Sequence, residues 1–116
     1  MTTEKRRVAR LAPFVAPCRV SSGAHRFAAF VADLSPRGAR VTCEHDALLV
    51  GDDVLIEVKL ARRPTHLSLP GCVAWVRAGD KGSAVFGVTF GHLPEEDRAV
   101  LETVVHDFQR LAARLS

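Results

Sequence analysis

Residues 71–90 read GCVAWVRAGDKGSAVFGVTF, and this stretch decides the fold. Gly71 to Arg77 is strand-like text, Gly79-Asp80-Lys81-Gly82 is turn chemistry, and SAVFGVTF resumes the strand. Two apolar runs joined by a short Gly-containing link read as a β-hairpin. Just upstream, His66 to Leu69 extends the first strand, with Pro70-Gly71 suggesting a bend or bulge within it. Arg62-Arg63-Pro64 is a loop. Before it, Val54, Ile56, Val58 and Leu60 face one way while Glu57 and Lys59 face the other, the clearest period of two in the chain.

The remaining N-terminal text has the same character. FVAPCRV (14–20) is a first strand whose Pro17 favours an edge or a bulge. Ser21-Ser22-Gly23 is a turn cluster, and Arg26 to Leu34 is a second strand ending at Ser35-Pro36-Arg37-Gly38. Ala39, Val41 and Cys43 alternate with Arg40 and Thr42. Several short strands at this spacing indicate a closed antiparallel barrel or a sandwich. The last segment differs. Pro94 followed by Glu95, Glu96 and Asp97 is a helix start, with proline tolerated first and acids favourable near the positive helix end. Val100, Leu101, Val104, Val105, Phe108, Leu111, Ala112 and Leu115 then recur at helical spacing, and Arg110 and Arg114 lie near the negative end. The expected organisation is a flexible basic segment over residues 1–10 and one domain over 11–116, with its helix at 94–114.

At 116 residues the chain is long enough to bury one core. No stretch approaches the roughly 18 to 20 apolar residues of a membrane span. The basic start is interrupted by Pro13, Pro17, Cys18 and Arg19 before any signal-peptide core develops, so a cytoplasmic location is expected. Cys18, Cys43 and Cys72 form no CxxC pair and are each expected as small core residues in a reducing compartment. His25, His45, His66, His92 and His106 show no ligand spacing, so no metal is expected.

Charge is distributed unevenly. Residues 1–40 carry eight basic side chains against Glu4 and Asp33, a balance of +6, whereas residues 41–116 carry eight basic against eleven acidic, a balance of −3. This asymmetry points the N-terminal third at an anionic partner. Two polar signatures lie there: Arg6 and Arg10 in RRVAR, and Asp33, Ser35 and Gly38 in DLSPRG. Guanidinium groups are fork-shaped donors to phosphate and to guanine O6/N7, and a carboxylate accepts from the N–H groups on a guanine's opposite edge. The bland alternatives are a solvated basic tail and an ordinary strand-to-strand turn.

Taken together, these signatures resemble the RxxxR and (D/N)xSxxG motifs of PilZ domains, and the likeness runs from about Glu4 to the C-terminal helix. The late strands carry it too, with Trp75 in the first and Gly87, Val88 and Phe90 in the second. His92-Leu93 departs from the Ser or Thr cap that often precedes Pro94, which bears on helix stability. The resemblance implies a mainly β fold, a six-stranded antiparallel barrel of split-barrel type with a C-terminal α-helix. It also implies a bacterial second-messenger receptor whose ligand is cyclic di-GMP. The nucleotide would be held by Arg6, Arg10, Asp33, Ser35 and Gly38, with Arg7 and Lys5 as further contacts. Ligand-driven ordering of the arginine segment would alter a surface offered to an unidentified protein effector.

No enzyme is expected, because Ser35 lies in no GxSxG elbow and has no indicated base. Other classes remain in view. One is a PilZ-fold adaptor that docks proteins without nucleotide. The other is a small nucleic-acid-binding barrel, disfavoured because aromatic residues are only 6% and tyrosine is absent. Membrane insertion and nucleic-acid partners are not expected. The apolar helix stripe and Trp75 are read as core packing, or for Trp75 the barrel rim.

Overall fold

The computed structural model describes residues 16–44, 48–58 and 67–115. Lys5, Arg6, Arg7 and Arg10, the start of the FVAPCRV run, His45 and the 59–66 segment all lie outside these residues. Among the described residues six strands follow one another: β1 (Ala16–Ser22), β2 (His25–Leu34), β3 (Gly38–Cys43), β4 (Asp53–Val58), β5 (Leu67–Ala78) and β6 (Ala84–Phe90). They close into an antiparallel barrel in the order β1-β2-β3-β6-β5-β4, and closure removes exposed edges. Among the described residues one α-helix, α1 (Glu95–Leu115), follows the strands.

Alternation decides which side chains fill the barrel. Val20, Val31, Val41, Ile56, Leu69, Val73 and Phe86 come from all six strands, and none is more than 1% exposed. Burying each such side chain contributes roughly 1.5 to 3 kcal/mol. Turns are set by local chemistry. Ser22 pairs with His25 across Gly23-Ala24, and Gly23 has a φ of 59°, the positive angle that a primed two-residue hairpin asks of its first central residue. At the β5–β6 connection a short 3-10 turn spans Asp80–Gly82, closed by Gly79 N–H donating to Ser83 O at 2.9 Å. Pro17 is the second residue of β1 and pairs with Phe30 of β2.

The helix begins one residue after Pro94, whose carbonyl accepts the Arg98 N–H at 2.9 Å. Leu101, Val104, Val105 and Phe108 are buried and turn toward β2 and β5.

Three expectations need correction. Pro70-Gly71 does not interrupt β5, whose pairing with β4 runs unbroken from Leu67 to Cys72; the irregularity falls at Ala74. Cys72 is exposed, because the register that turns Leu69 and Val73 inward turns position 72 out. Trp75, expected in the core or at the barrel rim, lies on the outer wall, half-buried.

Candidate functional site

Two bulges build the site. In β2, Val31 pairs with Val41 but the next pair is Asp33 with Arg40, leaving Ala32 as an extra residue. Phe27, Ala29 and Val31 point inward, so without the bulge Asp33 would enter the core. The extra residue reverses the phase: Leu34, 1% exposed, goes in and the Asp33 carboxylate goes out. In β5, Val73 pairs with Val88 and the next pair is Trp75 with Gly87, so Ala74 does the same for Trp75.

The consequence is a single outward row across four strands. Asp33 pairs with Arg40, Arg40 with Gly87, and Gly87 with Trp75, and directly paired residues share a face. Gly87 is bare because the indole lies on it: an added Cβ would fall 2.2 Å from Trp75 Nε1. Arg77 holds its guanidinium 5.0 Å from the centre of that ring, a cation–π contact. The row floors an open groove of about 500 Å³ whose other wall is the Ser35–Gly38 turn.

That turn is tied tightly. Ser35 N–H donates to Gly38 O at 2.9 Å. Ser35 Oγ accepts from the Arg37 and Gly38 N–H groups, both at 3.2 Å, and its own hydroxyl donates to Gly38 O at 3.3 Å. The Ser35 hydroxyl therefore works inside the turn. Gly38 does not have a positive φ, so the turn needs no left-handed residue there. Its Cβ is excluded because it would lie 2.2 Å from Val88 O. Outside support comes from Phe90 N–H donating to Arg37 O at 2.8 Å and Gln109 Nε2 donating to Leu34 O at 3.3 Å.

The electrostatics suit an anion with a polar flat face. Among the described residues no carboxylate lies within ion-pair distance of Arg37 or Arg40. The ion pairs found there, Arg26–Glu57 at 3.3 Å and Arg110–Asp107 at 3.9 Å, involve neither groove arginine. Asp33 and Arg40, although cross-strand neighbours, do not bridge each other either. Both signs of charge are thus left available at one end of the groove and an aromatic ring at the other. No group of three His, Cys, Asp or Glu able to hold a metal occurs among the described residues.

Of the residues expected from sequence, Asp33, Ser35 and Gly38 are brought together on this groove, while Arg6, Arg10, Arg7 and Lys5 lie outside the described residues. Arg37, Arg40 and Thr89 also line it, and nothing in the sequence reading places them there. The break in alternation at Leu34 is the one sequence signal for the β2 bulge.

The PilZ domain family profile matches residues 4–107, a span that includes Arg6 and Arg10. Among solved structures, the PilZ domain of CeSA from a cellulose-synthesizing bacterium is similar with a TM-score of 0.64 at 24% identity, covering 84% of this chain and 95% of that one. The Bacillus subtilis inhibitor of motility (MotI/DgrA) is similar with a TM-score of 0.67 at 12% identity, covering 84% of this chain. This chain spans 48% of that protein's length. A comparison with curated proteins gave no match.

Proposed function

Because this chain belongs to the PilZ domain family, we propose that it is a non-enzymatic receptor for cyclic di-GMP whose nucleotide lies in the groove beside the Ser35–Gly38 turn. The observation that carries the reading is the outward row of Asp33, Arg40, Gly87 and Trp75. It sets a carboxylate, a guanidinium and an aromatic ring along one floor. Asp33 accepts from the N–H groups of one guanine edge. Arg6 and Arg10, from the segment ahead of β1, donate to phosphate and to O6/N7 on the other edge, with Arg7 and Lys5 adding positive charge. Ser35 and Gly38 act by shaping the turn: the first ties its backbone and the second lets β6 pass close beneath it. Ordering the arginine segment on the ligand changes the surface that a protein effector meets.

Trp75 is the single tryptophan of a chain without tyrosine, so its fluorescence reports on the groove without a label. Cyclic di-GMP should change that emission saturably in the parent protein. In Asp33→Ala the titration should shift to about ten-fold or more higher ligand, as loss of a charge-assisted contact requires. An unshifted titration in a folded Asp33→Ala protein would remove Asp33 from the site.

A second reading, a PilZ-fold adaptor without nucleotide, is favoured by one observation. The Ser35 hydroxyl is already engaged within its own turn. The same titration decides between them, since an adaptor of that kind leaves Trp75 emission unchanged.

A further inference from the structure

A second groove, of about 440 Å³, lies on the far side of the Ser35–Gly38 turn, between Pro36-Arg37, the Phe90-Gly91 end of β6 and the first turns of α1. Its floor is apolar: Leu93 and Leu101 are buried and Phe90 is half-buried. Its rim is charged and exposed, with Arg37 on the turn and Arg98 and Glu102 on the helix. Arg98 and Glu102 are one helical turn apart and share a face, so Glu102 offsets part of the Arg98 charge and Arg37 leaves the rim net positive. Among the described residues neither arginine has a carboxylate within ion-pair distance. Arg37 also lines the first groove.

We infer that this second groove docks a segment of a partner protein that carries an apolar side chain flanked by carboxylates, and that Arg37 is shared between this partner and the nucleotide. The apolar side chain covers the exposed part of Phe90, above the buried Leu93 and Leu101, and the carboxylates meet Arg37 and Arg98. An apolar pocket with a cationic rim selects that chemistry by charge complementarity. The sharing rests on the proposed nucleotide site. A phosphate in the first groove draws the Arg37 guanidinium to its own side, and the second groove then loses part of its positive rim. Nucleotide and acidic partner therefore weaken each other, reciprocally.

The test uses the full chain, labelled with ¹⁵N, and two blocked peptides, acetyl-Asp-Leu-Glu-Ala-amide and acetyl-Lys-Leu-Lys-Ala-amide. Without nucleotide, the acidic peptide should shift the amide signals of Phe90, Gly91 and Leu101 saturably, and the lysine peptide should bind about ten-fold more weakly. Arg98→Glu should abolish that preference while leaving the nucleotide response of Trp75 in place. Adding cyclic di-GMP should weaken the acidic peptide about five-fold. Equal binding of the two peptides, shifts confined to other residues, or an unchanged preference in Arg98→Glu overturns the docking site. If Trp75 shows nucleotide bound but peptide affinity is unmoved, the sharing of Arg37 is overturned. If Trp75 shows no nucleotide response, the receptor reading fails and the sharing falls with it, while docking stands or falls on the nucleotide-free shifts.

Discussion

Replacing Gly87 by alanine should damage the groove while sparing the fold. The new Cβ would lie 2.2 Å from Nε1 and 2.4 Å from Cε2 of Trp75. Ordinary contact is about 3.5 Å or more, so the ring must retreat by roughly 1.3 Å. It sits on the outer wall, half-buried, and retreats by lifting away from β6 rather than by disturbing Phe86 or Val88 beneath. An off-rotamer side chain costs about 0.5 to 1.5 kcal/mol, and replacing a strand glycine returns about 0.4 to 1 kcal/mol through the unfolded chain. The lost cation–π contact with Arg77 costs about 0.5 to 1 kcal/mol more, so net stability should fall by no more than about 2 kcal/mol. Binding is a different matter. The lifted indole intrudes on the groove and breaks its contact with Arg77, and an aromatic contact to a base is worth about 1 to 3 kcal/mol, or roughly five- to 150-fold in affinity. A urea melt and a calorimetric titration with cyclic di-GMP measure the two quantities. A Gly87→Ala protein that melts like the parent and binds like the parent would refute the role given to Trp75 and to the bare floor at position 87.

Arg10→Ala should lower cyclic di-GMP affinity by about ten-fold or more, since a charge-assisted bond contributes roughly 1.5 to 3 kcal/mol; calorimetry on the folded variant checks it. Amide hydrogen exchange over residues 1–10 should slow when cyclic di-GMP is added, and an unchanged pattern would count against ordering on the ligand. Burial, and then the neighbouring Cys43, push the Cys18 thiol from 9.0 up to about 12. The folded state then keeps a proton that the unfolded state releases above about pH 9, so stability should fall as pH rises from 9 toward 12, by at most about 1.4 kcal/mol per unit. Denaturant melts across that range check this, and Cys18→Ala should flatten the decline.

Much of the barrel was legible because its signals are local. Val54, Ile56 and Val58 keep a period of two, with Asp53 ahead of them and Glu57 between the last two, and that spacing declares the inner face without help from any other strand. Asp33, Ser35 and Gly38 were legible as one turn for the same reason. What escaped was set by partner strands. Ala32 and Ala74 look like ordinary strand residues; Leu34 breaks the alternation of β2 without saying where the extra residue lies, and pairing with β3 and β6 identifies each one. Those bulges decide that Asp33 and Trp75 face outward in register. Cys72 escaped likewise, since an apolar sequence context does not say which face a position takes. Gly38 reads as turn chemistry in the sequence, yet the reason for it is the Val88 carbonyl on another strand.

Calorimetric titration of cyclic di-GMP and cyclic di-AMP into the parent protein tests most directly whether this groove reads guanine. Adenine carries an amine at C6 and lacks the N2 amine, so it offers Asp33 and the arginines the wrong groups. Saturable binding of cyclic di-GMP with cyclic di-AMP at least about ten-fold weaker is the predicted result. Equal affinity for the two, or no heat with cyclic di-GMP, would contradict it.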